Sequence, residues 1–164
     1  MDRKPPETAA LSASLLDASK RLSTRTVFFH QAVAHHLGLH VTDHKCLDLV
    51  LEEGRVTAGR LAEWTGLTTG AITSVINRLE KAGFVRRVKD PHDLRIVYVE
   101  PVFDRLQPVL DVFAPLGEAM SALHARYSAG ELRLILDYVE RAAEVLVNQA
   151  ERLRRSPRRG GRRT

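Results

Sequence analysis

The sequence predicts a mainly α-helical fold with one small β-hairpin, and three observations carry that prediction. Apolar residues recur at helical spacing over most of the chain. Between residues 84 and 99 that period gives way to alternation. Two short segments joined by Thr65-Gly66-Leu67 have the residues that a helix-turn-helix needs.

From about Thr8 to Leu37, residues Leu11, Leu15, Leu22, Phe29, Val33 and Leu37 form one stripe at spacings of four or seven, ended by Gly38. Thr42 suits the N-cap of a second helix carrying Cys46, Leu47, Leu49 and Val50, closed by Gly54. Thr57 caps a short third helix through Trp64. Thr68 caps a fourth, running to about Ala82 and stopped by Gly83. Residues 84–89 and 95–99 then read as strands around a charged tip, Asp90-Pro91-His92-Asp93. The apolar segment from Phe103 to Tyr127 contains Pro108 and Pro115 and predicts a bent or broken helix. A capping box, Ser128 with Glu131, opens a last helix with Leu132, Ile135, Val139, Ala142, Leu146 and Leu153 on one side. The expected organisation is a flexible leader at 1–6, helical dimerisation segments at 7–38 and 101–153, a winged helix-turn-helix at 39–100, and a disordered Arg-rich tail at 154–164.

Charge is distributed unevenly. The net charge is +5, but seven arginines lie from Arg152 onward; without them the rest of the chain is at −2. Residues 78–95 hold six basic against three acidic residues, and residues 111–151 hold seven acidic against three. A polyanion would meet the first segment and avoid the second.

Within residues 58–79, Ala62 and Gly66 allow two helices to approach and turn, and Ile72 and Val75 fill their crossing. On a helical wheel Ile72, Val75, Ile76 and Leu79 share one face of the fourth helix. Thr73, Ser74, Asn77 and Lys81, with Gly70, share the other, and Thr69 and Arg78 lie at its borders. A merely solvated face would favour long Glu and Lys side chains. This one is mostly short, as a helix pressed into the major groove requires: Asn pairs with adenine, Arg with guanine, and Thr touches a thymine methyl. The candidate DNA-binding residues are Thr68, Thr69, Thr73, Ser74, Asn77, Arg78, Lys81, Arg87, Lys89, His92 and Arg95.

The run LTTGAITSVINRLEKAGFVRR from Leu67 to Arg87, the wing DPHDLR ending at Arg95, and Leu37-Gly38-Leu39 resemble the MarR family of regulators over roughly residues 10–150. The resemblance implies a homodimer whose first and last two helices interlock, a palindromic double-stranded DNA operator, and repression relieved by a small-molecule effector or an oxidant. It also implies that Arg95 enters the minor groove, oriented by Asp93. Two positions depart from the family pattern: Leu94 stands where a second arginine is frequent, and His44 where a bulky aromatic is frequent.

Other readings carry less. His30, His35, His36, His40 and His44 invite a metal, but Gly38 and Thr42 interrupt the i, i+4 series and no acidic ligand pair accompanies them. They read as ordinary polar or partly buried histidines, and no cofactor is expected. Cys46, the single cysteine, reads as a small core residue rather than a redox sensor. No phosphate-cradling loop, nucleophile elbow or metal-hydrolase motif is present, so an enzyme is not expected. No apolar run suits a signal peptide or a bilayer span, so a cytoplasmic protein with no membrane partner is expected. Two alternatives stay open in the sequence: a non-specific architectural DNA binder acting through the basic tail, and a protein-binding adaptor with the same fold.

Overall fold

The computed structural model describes residues 6–156, in two compact units that divide between Val109 and Leu110. The first holds α1 (Pro6–His36), α2 (Val41–Glu53), β1 (Val56–Thr57), α3 (Ala58–Thr65), α4 (Thr69–Lys81), β2 (Val85–Lys89), β3 (Val97–Pro101) and a 3-10 turn (Phe103–Arg105). α5 (Gln107–His124) begins at its edge, and the second unit holds the rest of α5 and α6 (Ala129–Arg155).

The core of the first unit is built from the residues whose period marked them as apolar faces. Ile72, Val75, Ile76 and Leu79 of α4 are buried together with Leu47 and Val50 of α2, Leu61 of α3, and Val85 and Val99 of the sheet. Local chemistry sets where α3 and α4 begin and end. Thr57 and Thr68 accept from the backbone N–H groups of Arg60 and Ala71, as N-caps do. α3 ends on Gly66, whose φ of 70° is open to glycine at little cost and whose N–H reaches the Ala62 carbonyl. At the end of α4, Gly83 donates to Glu80 and Phe84 to Leu79, a Schellman motif that turns the chain directly into β2.

The sheet has three antiparallel strands in the order β1-β3-β2, with Val56 opposite Val99, and Val85 and Lys89 opposite Pro101 and Val97. The expected hairpin is therefore joined by a third strand. At two residues, β1 is too short to display a period.

Other expectations need correcting. α2 starts one residue before Thr42, with His40 at the N-cap and no side-chain cap bond. Asp43 in its first turn supplies the negative charge favoured at a helix N-terminus. The segment after Pro101 is broken, into the 3-10 turn and α5, but at Leu106 and not by a proline inside the helix: Pro108 lies in the first turn of α5, where its missing N–H costs nothing, and Pro115 is accommodated within it. Arg154 and Arg155 still belong to α6, so the expected tail begins later. Pro6, expected in the leader at 1–6, opens α1; residues 1–5 of that leader and residues 157–164 lie outside the described residues.

In the second unit, the capping box opens α6 with both of its bonds. α6 buries no residue. Leu134, Leu136, Val139, Leu146 and Leu153 are exposed along it, as are Leu11, Leu15 and Leu22 on α1. No helix among the described residues is long and apolar enough to cross a membrane.

Candidate nucleic-acid interface

With its apolar face in the core, α4 presents Thr69, Gly70, Thr73, Ser74, Asn77 and Lys81 to solvent, with Thr68 at its N-cap. The Thr73 hydroxyl donates to the Thr69 carbonyl at 2.9 Å and that of Ser74 to Gly70 at 3.1 Å. Each hydroxyl proton is thereby used within the helix, and the oxygen keeps lone pairs. In this state both residues offer acceptors, suited to the amino groups of cytosine or adenine.

Two of the expected DNA-contacting arginines turn out to be engaged inside the protein. Arg78 forms a two-pronged pair with Asp43 of α2, Nε to Oδ2 at 2.7 Å and Nη2 to Oδ1 at 2.6 Å. The Asp43 side chain is 2% exposed and that of Arg78 46%. This bond lifts the Arg78 pKa above its ordinary value. It fastens α4 to α2 across 35 positions of sequence. Arg87 of β2 is clasped by Glu80, whose other oxygen accepts from the Arg87 backbone N–H at 3.1 Å. Its Nη2 donates to Asn77 Oδ1 at 2.7 Å. Asn77 is thus held with its oxygen occupied. Its amide NH₂ remains to donate to a base acceptor, whereas a two-bond pair with adenine would first require Arg87 to let go. Asp43 and Glu80 were not among the expected site residues. Asp43 gives no local signal, and Glu80 reads as one more exposed helix acid.

The wing is a braced loop. Asp90 accepts from the N–H groups of His92 (2.8 Å) and Asp93 (3.0 Å), while its own N–H donates to the Ile96 carbonyl. The bonds to His92 and Asp93 hold the Asp90 carboxyl below the usual range. At the tip, Arg95 donates through Nε and Nη2 to the two oxygens of Asp93 at 2.9 and 2.8 Å, and through its backbone N–H to Oδ1 at 3.1 Å. Those bonds depress the Asp93 pKa and raise that of Arg95. The expected Asp93–Arg95 partnership is present, and the Arg95 side chain remains 90% exposed. His92, Leu94 and Lys89 are exposed beside it. At the base of the wing, Glu100 pairs with Arg55 (3.1 Å) and Arg86 (3.4 Å), and Arg55 lies over the Tyr98 ring.

Behind this surface the histidines divide. His35, His36 and His40 are exposed, while His44 is buried and its Nε2 lies 3.0 Å from His30 Nδ1. Burial lowers the pKa of both rings, His30 also through Lys45, and the nearby Asp48 partly offsets this. Cys46 is buried as expected, and burial together with Asp43 pushes its thiol up to about 11. A thiol in that state is inert at neutral pH.

Comparison with known proteins agrees with this architecture. Residues 39–97 match the MarR family. The chain is 43% identical over 144 residues to the uncharacterised HTH-type transcriptional regulator YcgE of Bacillus subtilis, covering 88% of this chain and 94% of that protein. In structure it is similar to a MarR family protein from Bacillus stearothermophilus, with a TM-score of 0.63 at 18% identity, over 89% of this chain and 99% of that one. It is also similar to NadR in complex with 4-hydroxyphenylacetate, with a TM-score of 0.57 at 19% identity, over 88% and 98%. A mainly helical chain with a three-stranded sheet, a helix-turn-helix and a wing, closely related to a transcriptional regulator over nearly its whole length, belongs to the MarR family of transcriptional regulators, which are not enzymes.

Proposed function

We propose that the protein is a homodimeric repressor that binds a palindromic double-stranded DNA operator through α4 in the major groove and the wing in the minor groove. The observation that carries this reading is the exposed face of α4: short polar side chains lie directly opposite its buried apolar face. Thr69, Thr73, Ser74 and Asn77 then face base edges, and Thr68 and Lys81 lie at the margins of the same face. Lys89 and His92 meet the backbone, and Arg95, aligned by Asp93, enters the minor groove. Arg78 and Arg87 act from behind, through their pairs with Asp43 and with Glu80 and Asn77.

Dimerisation follows from exposed apolar surface. The leucines of α1 and the Leu134, Val139 and Leu146 positions of α6 lie in water in the single chain, and a second copy would cover them. A two-fold axis would also set two recognition helices about 34 Å, one DNA turn, apart. Relief of repression by a small-molecule effector belongs to the proposal, on the precedent of the NadR complex with 4-hydroxyphenylacetate.

Selection from a random duplex library, with sedimentation of the free protein, tests the proposal. An enriched inverted repeat bound by a dimer is expected. Enrichment of no motif, or of a single half-site bound by a monomer, would overturn it.

A further inference from the structure

Two of the seven histidines meet, and an acid joins them. His30 comes from α1, while His44 and Asp48 lie one turn apart on α2. His30 Nδ1 is 3.0 Å from His44 Nε2 and 3.9 Å from Asp48 Oδ2, and His44 Nδ1 is 3.5 Å from Asp48 Oδ1. One ligand atom from each residue lies within 4.8 Å of the other two. Donors bound at about 2.0–2.2 Å around a tetrahedral ion stand roughly 3.3–3.6 Å apart, so side-chain rotations that bring a single His44 nitrogen and one Asp48 oxygen to that spacing would complete the geometry.

We propose that His30, His44 and Asp48 form a binding site for one divalent transition-metal ion of the zinc class, joining α1 to α2 and leaving a fourth position to water. The donor set selects the ion. Two imidazoles and a carboxylate suit zinc, cobalt, nickel or ferrous iron, and are too few in oxygen for calcium or magnesium. The buried thiol of Cys46 is not in the cluster, which disfavours a cuprous ion. Access is one-sided. The His44 side chain is fully buried, whereas His30 and Asp48 are part-exposed, so an ion would enter past them. The competitor is Lys45, whose Nζ lies 2.9 Å from Asp48 Oδ2. Half exposed, it can swing into solvent when a cation arrives, at some cost in affinity.

The test uses the full chain, freed of metal with a chelator. Cobalt chloride is titrated while the visible bands of tetrahedral cobalt are followed, and zinc chloride is titrated by calorimetry. One ion per chain is expected, with a rise in melting temperature on binding. His30→Ala and Asp48→Asn should each weaken binding about tenfold or more, while His36→Ala and His92→Ala leave it unchanged. His30 is part-exposed, so its variant is expected to fold, checked by circular dichroism, even if a change at buried His44 does not. Absence of saturable binding would overturn the site. So would equal affinity in the wild type and in His30→Ala and Asp48→Asn, which would assign the metal to surface histidines.

Discussion

Removing either partner of the Asp43–Arg78 pair should have unequal consequences, because the two ends of the pair lie in different surroundings. Arg78→Ala leaves the Asp43 carboxylate, 2% exposed, without its cation in a place water hardly reaches. Stranding one charge of a buried pair costs about 3–5 kcal/mol. Asp43→Ala leaves a guanidinium that is 46% exposed and can turn outward. Two charge-assisted hydrogen bonds are lost, but water replaces them at the half-exposed Arg78, so the net loss is about 1.5–3 kcal/mol, no more than one such bond is worth. The double variant strands nothing and should be less destabilised than the sum of the singles by roughly 0.5–3 kcal/mol. Urea unfolding measures all three, as shifts of the midpoint at constant slope. Equal losses in the singles would refute the unequal surroundings of the two ends, and strict additivity in the double variant would refute a brace between α2 and α4. Operator affinity separates the brace from a second idea. A bracing Arg78 requires that Asp43→Ala weaken DNA binding along with Arg78→Ala. If Asp43→Ala strengthens it, the pair merely parks an arginine that reads DNA.

Other outcomes follow from the same geometry. Charged substitutions at both Val139 and Leu146, exposed on α6, should yield monomers by sedimentation and abolish operator binding while the α4 face stays chemically intact; a dimer that still binds would refute their place in the interface. The Cys46 thiol, buried and pushed up to about 11, should resist disulfide reagents in the native protein at about pH 8 and react only after unfolding; fast native labelling would contradict its burial. Folding should weaken on acidification in chelator-treated protein. His30 and His44 have folded values below the ordinary 6.5, so below that pH the unfolded chain takes up protons that the folded chain refuses, and stability falls towards the depressed folded values. A urea midpoint constant between about pH 7.5 and pH 5 would contradict this.

What could be read from the sequence was decided by neighbours along the chain. The caps at Thr57, Thr68 and Ser128, the turn at Gly66, the stop at Gly83 and the buried face of α4 each depend on residues within about one or two helical turns, while the Asp93–Arg95 fork was implied by the family resemblance. What was missed depends on partners far away. β1 is a strand only because Val56 meets Val99, and Arg78 changes role only because Asp43 lies beneath it. Asn77 reads as free to pair with adenine until Arg87, from the following strand, occupies its oxygen. Along the chain the histidines offer only an i, i+4 series that Gly38 and Thr42 interrupt. The cluster instead pairs His30 on α1 with His44 and Asp48 on α2, across the turn at Gly38. Pro108 misled for a different reason: proline breaks a helix interior but is at home in the first turn.

Whether α4 reads bases is tested most directly by measuring the affinity of the wild type and of Asn77→Ala for the selected operator and for a scrambled duplex of equal length and salt. Asn77 is exposed on the reading face, and its NH₂ is the group left to meet a base. The account predicts a loss of about 1–3 kcal/mol on the operator and little change on the scrambled sequence. Equal losses on both duplexes would place Asn77 among backbone contacts and contradict sequence reading by this face.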